Sequence, residues 1–164
     1  MAMNKTHAPA AQKSVLGMLI DDHREVQALF KEFKSAKDDA KKNEIVQHAC
    51  MALTAHAEIE ENHFYPFLRK ADPDTFGDML DEGKVEHGSA KDLIALLKKM
   101  KPGDDLYDAR FTVLGEFTNH HIKEEEDEMF SKVVSKDIDL RELEAPMLET
   151  KKQSMADQKA NKKS

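Results

Sequence analysis

Cysteine occurs once in this chain of 164 residues, at Cys50, so no intramolecular disulfide can form and a reducing, cytoplasmic setting is expected. Glycine and proline are scarce too, six and five residues, which argues against turn-dense β structure. No apolar run reaches the roughly 18–20 residues that crossing a bilayer takes, so no membrane role is expected. Residues 1–14 lack the apolar core of a secretory signal. Positive charge is in deficit: the net charge of −7 argues against nucleic acid as a main partner, and the short basic tail at 159–163 does not alter that. What is present, 40% hydrophobic and 35% charged residues, suits amphipathic helices in a single domain long enough to bury a core.

Apolar periodicity divides the chain. Residues 1–13 are small and polar and are expected to be disordered. Ser14 is placed to cap a helix over 14–35 whose stripe of Leu16, Leu19, Ile20, Val26, Phe30 and Phe33 includes His23. A second helix over 40–70 carries Ala49, Ala52, Leu53, Ile59, Phe64 and Phe67 on one face with His56 and Glu60, and Pro66 is expected to kink it. Asp72-Pro73-Asp74 breaks the pattern, with Asp74 as cap of a third helix over 75–100 that carries Met79, Leu80, His87, Leu93, Ile94 and Leu97. Its glycines, Gly77, Gly83 and Gly88, read as points of close packing. A fourth helix over 105–135 buries Phe111, Leu114, Phe117, Met129 and Val133 with His121 and Glu125. A shorter amphipathic helix over 138–154 completes a domain spanning 14–154, and residues 155–164 are expected to be a loose tail. The fold class is all-α, an up-down-up-down four-helix bundle with a short C-terminal helix.

Two segments carry the chemistry. Residues 56–65 read HAEIEENHFY and residues 121–130 read HIKEEEDEMF. In each, a glutamate follows a histidine by one helical turn, Glu60 after His56 and Glu125 after His121, so the pair shares a face. His23, His56, His87 and His121 recur at near-equal intervals, one per helix plus turn, which brings all four to a similar height in such a bundle. One such histidine is usually a satisfied core or surface residue; four at one level, two with a glutamate, point to a metal site. Shared between two ions, four imidazoles and two bridging carboxylates give each ion two nitrogens and two oxygens. A bridging oxo or hydroxo group then leaves an open position for a small ligand. Imidazole with carboxylate and no thiolate suits non-haem iron, and manganese is also accommodated; zinc settles for about four ligands.

These residues resemble the hemerythrin-like family, also called the HHE cation-binding domain. The resemblance rests on Asp22-His23-Arg24, residues 56–66, Glu86-His87 and residues 121–130, and it covers roughly 14–135. It implies a non-haem di-iron centre (Fe²⁺/Fe³⁺) with His23, His56, Glu60, His87, His121 and Glu125 as ligands. His121 is preferred to His120 because it aligns Glu125 with Glu60, Met129 with Phe64 and Phe130 with Tyr65; Ser131 then stands opposite Pro66. Lys91 occupies the position where the oxygen-carrying members have a further histidine. The set of four His and two Glu therefore looks more like the iron–sulfur repair and stress-related branch, although no cysteine precedes His23 as in the repair proteins. The implied function is binding of, or reaction with, O2, peroxide or NO in oxidative or nitrosative stress or in iron homeostasis, with enzymatic turnover left open. The alternative is an iron- or oxygen-sensing module acting on a partner protein through the helix over 138–154. Either fits a monomer or a dimer. Glu61 and Glu126 are expected behind the ligands or in solvent, Glu124 and Glu128 on a solvated face, and His63 in packing. His7 and His48 read as surface residues, and Cys50 as a small core residue. No spacing places Tyr65 or Tyr107 near the metals.

Overall fold

The computed structural model describes residues 7–162, with the side chain of Lys162 excepted, and every regular element among them is helical. Helix α1 (Ala10–Ser35) is followed by α2 (Asp39–Ile59), which runs through a π-helical turn (Glu60–Phe64) into α3 (Tyr65–Ala71). After α4 (Pro73–Lys98), α5 (Tyr107–Glu124) runs through a second π-helical turn (Glu125–Phe130) into α6 (Ser131–Ser135). A 3-10 turn (Arg141–Leu143) then leads into α7 (Glu144–Lys162). α1 packs on α2 and α5, α4 packs on α2, α3 and α5, and α7 lies along α2. None of these helices is long and apolar enough to cross a membrane.

Boundaries follow local chemistry. The Asp38 carboxylate accepts the Lys41 N–H and starts α2. At α4 the cap is Asp72, whose Oδ1 accepts the Thr75 N–H at 3.1 Å, and not the expected Asp74; Pro73, which has no N–H to waste, fits the first helical position. α1 begins at Ala10, before the expected Ser14, because the loop after α6 holds its first turn: Leu140 N–H bonds Ala11 O, and Gln12 Nε2 donates to Ile138 O. That same loop, with Asp137 at φ 51°, displaces the start of the last helix from the expected 138. At the other end α7 continues to Lys162, so the stretch after 154 expected to be loose is helical that far. Ser154 is buried, and Gln158 Nε2 donates to Met51 O, which anchors this extension on α2. The remaining expectations of disorder, at 1–6 and 163–164, fall outside the described residues.

Buried side chains form two apolar clusters, and the segments carrying the histidines and glutamates lie between them. One cluster gathers Leu16, Leu19, Ile59, Phe64, Phe76, Phe130 and Met147. The other gathers Phe30, Phe33, Ile45, Cys50, Leu97, Tyr107, Phe111 and Leu114. One residue expected inside is out: Phe117 is 47% exposed. The buried face of α5 passes through Leu114, Thr118 and Ile122, and the helical repeat sets Phe117 at its edge.

Candidate metal centre

Four helical rods each contribute to one buried polar layer. His23 comes from α1, His56 from α2 with Glu60 opening the first π turn, His87 from α4, and His121 from α5 with Glu125 opening the second π turn. Glu60 and Glu125 have side chains with no exposed surface, and His23, His56 and His87 are buried. Two sets of donors converge. His23, His56, Glu60 and Glu125 offer ligand atoms all within 4.8 Å of one another, and so do Glu60, His87 and His121. Glu60 belongs to both sets: its Oε1 lies 3.2 Å from His56 Nε2, 3.1 Å from His87 Nε2 and 3.8 Å from His121 Nε2. Glu125 also spans them, with Oε1 3.2 Å from His23 Nε2 and Oε2 3.1 Å from His121 Nε2.

Ring orientation is fixed from outside the layer. His23 Nδ1 meets Glu126 Oε2 at 2.7 Å, His56 Nδ1 meets Asp22 Oδ2 at 2.9 Å, and His121 Nδ1 meets Glu86 Oε1 at 2.8 Å. His87 Nδ1 lies 3.8 Å from Glu61 Oε2, beyond hydrogen-bond reach. A carboxylate on Nδ1 leaves Nε2 as the inward-facing donor, the usual arrangement behind a metal-ligating imidazole. Stacking adds a second constraint: His23 lies over Phe130 and His87 over Tyr65, with ring planes 8° and 15° apart.

Within the layer, imidazoles and carboxylates shift one another's ionisation. Burial works against the charged form of His56, but Glu60 and Asp22 outweigh it and push the imidazole up to about 10. Burial opposes charge on Glu60 as well, yet His56, His121 and His87 hold it well below the usual carboxylate range. His121 is raised against its burial by Glu125, Glu60 and Glu86, and His23 by Glu125 and Glu126.

Of the neighbouring residues, His120 is largely exposed and pairs with Glu124 at 3.0 Å, on the outer side of α5. His63 bonds Thr150 on α7, and His48 bonds Glu25 at the surface. Tyr65, which no spacing placed near the layer, is in it: its hydroxyl donates to Glu125 Oε2 at 2.8 Å and lies 3.2 Å from His121 Nε2. The available signal was the adjacent buried pair Phe64-Tyr65, matched by Met129-Phe130. Two neighbouring residues can both face inward where a π turn shifts the register. Tyr107, by contrast, is buried within the second apolar cluster.

The donors meet a specific test for a cation. His23 Nε2, His56 Nε2, Glu60 Oε2 and Glu125 Oε1 are buried and make no aligned hydrogen bond, the imidazole nitrogens meeting the glutamates only as close charge pairs. Other buried atoms also lack a hydrogen bond, Tyr107 Oη and Gln158 Oε1 among them, but these four belong to residues whose ligand atoms converge, a donor set that a positive ion would satisfy. Beside the imidazoles lies a cavity of about 50 Å³, otherwise walled by Val26, Leu53, Ala57, Ala90, Ile94 and Ile122 among others.

Residues 14–133 match the family model described as the hemerythrin HHE cation binding domain. A protein from Nostoc sp. named DNA nickase is 30% identical over 114 residues, 68% of this chain but only 31% of that protein, so the chain spans about a third of that relative's length. No solved structure matches. With the match to the family model covering most of its length, the chain belongs to the hemerythrin HHE cation-binding domain family.

Proposed function

We propose that the chain is a di-iron protein of an up-down-up-down four-helix bundle, which binds or reacts with O2, peroxide or NO in oxidative or nitrosative stress or in iron homeostasis. His23, His56, Glu60, His87, His121 and Glu125 would hold two non-haem iron ions with an oxo or hydroxo bridge, and Glu60 and Glu125 would each reach both. The observation that carries this reading is the convergence of buried imidazole and carboxylate donors in two sets that share Glu60. Imidazole and carboxylate without thiolate is the donor chemistry of non-haem iron, and manganese is the nearest competitor. Iron bound there would supply one-electron redox chemistry and an open position for a small ligand.

The chain's own residues define what reaches that position. The cavity has room for a diatomic molecule or a few waters, and its lining combines aliphatic side chains with the charged Asp22, Glu86 and Lys91. Tyr65 holds a proton at its hydroxyl beside the layer, because burial and the charges of Glu125 and Glu60 raise it well above the ordinary phenol range. A retained proton there favours peroxide turnover over simple reversible binding. The DNA activity named for the Nostoc relative is not carried over: the match covers only 31% of that protein, and the present chain carries a net charge of −7, which repels a polyanion.

Metal analysis and visible spectroscopy on protein from iron-supplemented cells test the reading. About two irons per chain are expected, with ferric charge-transfer bands that bleach on anaerobic reduction and respond to O2, peroxide or NO. The ligand producing the largest change identifies the branch. A colourless chain that takes up no iron would remove oxygen chemistry from consideration.

A further inference from the structure

Each imidazole of the layer has a carboxylate near its outer nitrogen, and each of those carboxylates has a basic group nearby. Glu126 behind His23 is held by Arg24, and Glu61 near His87 is held by Lys91 at 2.6 Å. Glu86 behind His121 lies 3.9 Å from His120. These three sets all lie within the segment that matches the family model. The fourth does not. Asp22 turns Oδ2 to His56 Nδ1 at 2.9 Å and takes Lys151 Nζ on Oδ1 at 2.5 Å, and Lys151 stands on α7, beyond residue 133.

We propose that Lys151 is a positioning residue of the metal centre, which makes the C-terminal helix part of the site. The inference rests on the reading that His56 is a metal ligand. With Lys151 in place the Asp22 side chain is only 8% exposed, and each of its two oxygens is engaged, one by His56 and one by Lys151. With one oxygen fixed by Lys151, the carboxylate cannot rotate away from His56, and His56 Nε2 stays aimed into the layer. Lys151 is in turn placed by a helix anchored on both sides of it, through buried Met147, the Thr150–His63 bond and the Gln158–Met51 bond. Because the same ion pair serves the ligand and the helix, an ion at His56 and docking of Lys151 favour each other.

Release of Fe²⁺ from the anaerobically loaded full chain into excess coloured chelator tests this. In Lys151→Met, half of the bound iron is expected to leave about 10-fold faster than in wild type, the low end of what lost outer partners cost, while the other half keeps its rate. Lys151→Arg should restore the slow release. Leu97→Ala controls for a general loss of stability: it removes buried packing on α4, away from Asp22 and α7, so it should lower the melting temperature and leave release within about 2-fold. The inference is overturned if Lys151→Met loads and releases as wild type does, if Lys151→Arg fails to rescue, or if Leu97→Ala speeds release as much. A wild type that takes up no iron overturns the reading of the centre and this inference together; a wild type that loads beside an indistinguishable Lys151→Met overturns this inference alone.

Discussion

The Tyr65 hydroxyl stands where two roles meet, as donor to Glu125 Oε2 and as neighbour of His121 Nε2, while its ring stacks on His87 at 5.5 Å. Tyr65→Phe separates them, because the ring and its stacking remain and only the proton-bearing oxygen goes. A lost hydrogen bond to a charged acceptor costs about 1.5–3 kcal/mol, so the unfolding midpoint in denaturant should fall accordingly. Iron content should stay at the wild-type level, since phenylalanine removes no member of the proposed six-residue ligand set. Peroxide consumption should fall by about 10²-fold or more, the usual contribution of a placed proton donor, while the spectrum with NO is retained. Unchanged peroxide consumption would reduce Tyr65 to a group that orients Glu125. The sequence conceals Tyr65 for a physical reason. A constant helical repeat carries Glu60 to Phe64 and leaves Tyr65 off the face, whereas the π turn brings both inward.

At the scale of the element, both π turns begin at a glutamate of the layer, and one of them contains no proline and is followed by none. Pro66 follows the first turn, but Ser131 stands at the equivalent place after the second. Proline alone therefore does not account for these turns. Helix identities were legible because stripes such as Leu16, Leu19, Ile20 and Phe30 repeat at the helical period. Ends were less so, since contacts with the 137–140 loop extend α1 and packing on α2 extends α7. The glycines of α4 show the same limit. Only Gly83 is a close approach: a Cβ there would meet the Tyr65 hydroxyl at 3.0 Å and His121 Cε1 at 3.4 Å. A Cβ at Gly88 meets nothing, and one at Gly77 only the end of Arg69 at 4.0 Å. Gly88→Ala should therefore stabilise the protein by up to about 1 kcal/mol through helix propensity. At Gly83→Ala the same gain is opposed by overpacking worth about 1–3 kcal/mol, because Tyr65 is locked between His87 and Glu125. Denaturant unfolding should show opposite signs for the two variants, and equal stabilisation by both would mean that Tyr65 has room to move.

Across the whole molecule, a layer of buried ionisable groups separates two apolar cores, and this arrangement sets how stability should respond to metal. Buried ion pairs contribute little net stability, because desolvation offsets most of their attraction. The layer is therefore a weak join between two well-packed halves unless a cation engages its orphaned atoms. A ligand that binds only the folded chain adds about 2.7 kcal/mol at a hundredfold excess over its dissociation constant. For a chain of this length that corresponds to roughly 5–10 °C in melting temperature. Anaerobic Fe²⁺ should produce such a rise, chelator should reverse it, and His56→Ala should abolish most of it. Hydrogen exchange should slow on both sides of the layer at once, because helices that carry a ligand run from one apolar core into the other. It should also slow in α7 around Lys151, which the Asp22 contact ties to the layer. Slowing confined to one core would place the ion outside the shared glutamates. A melting temperature indifferent to iron, with His56→Ala costing only ordinary packing energy, would leave a helical protein whose histidines serve structure alone.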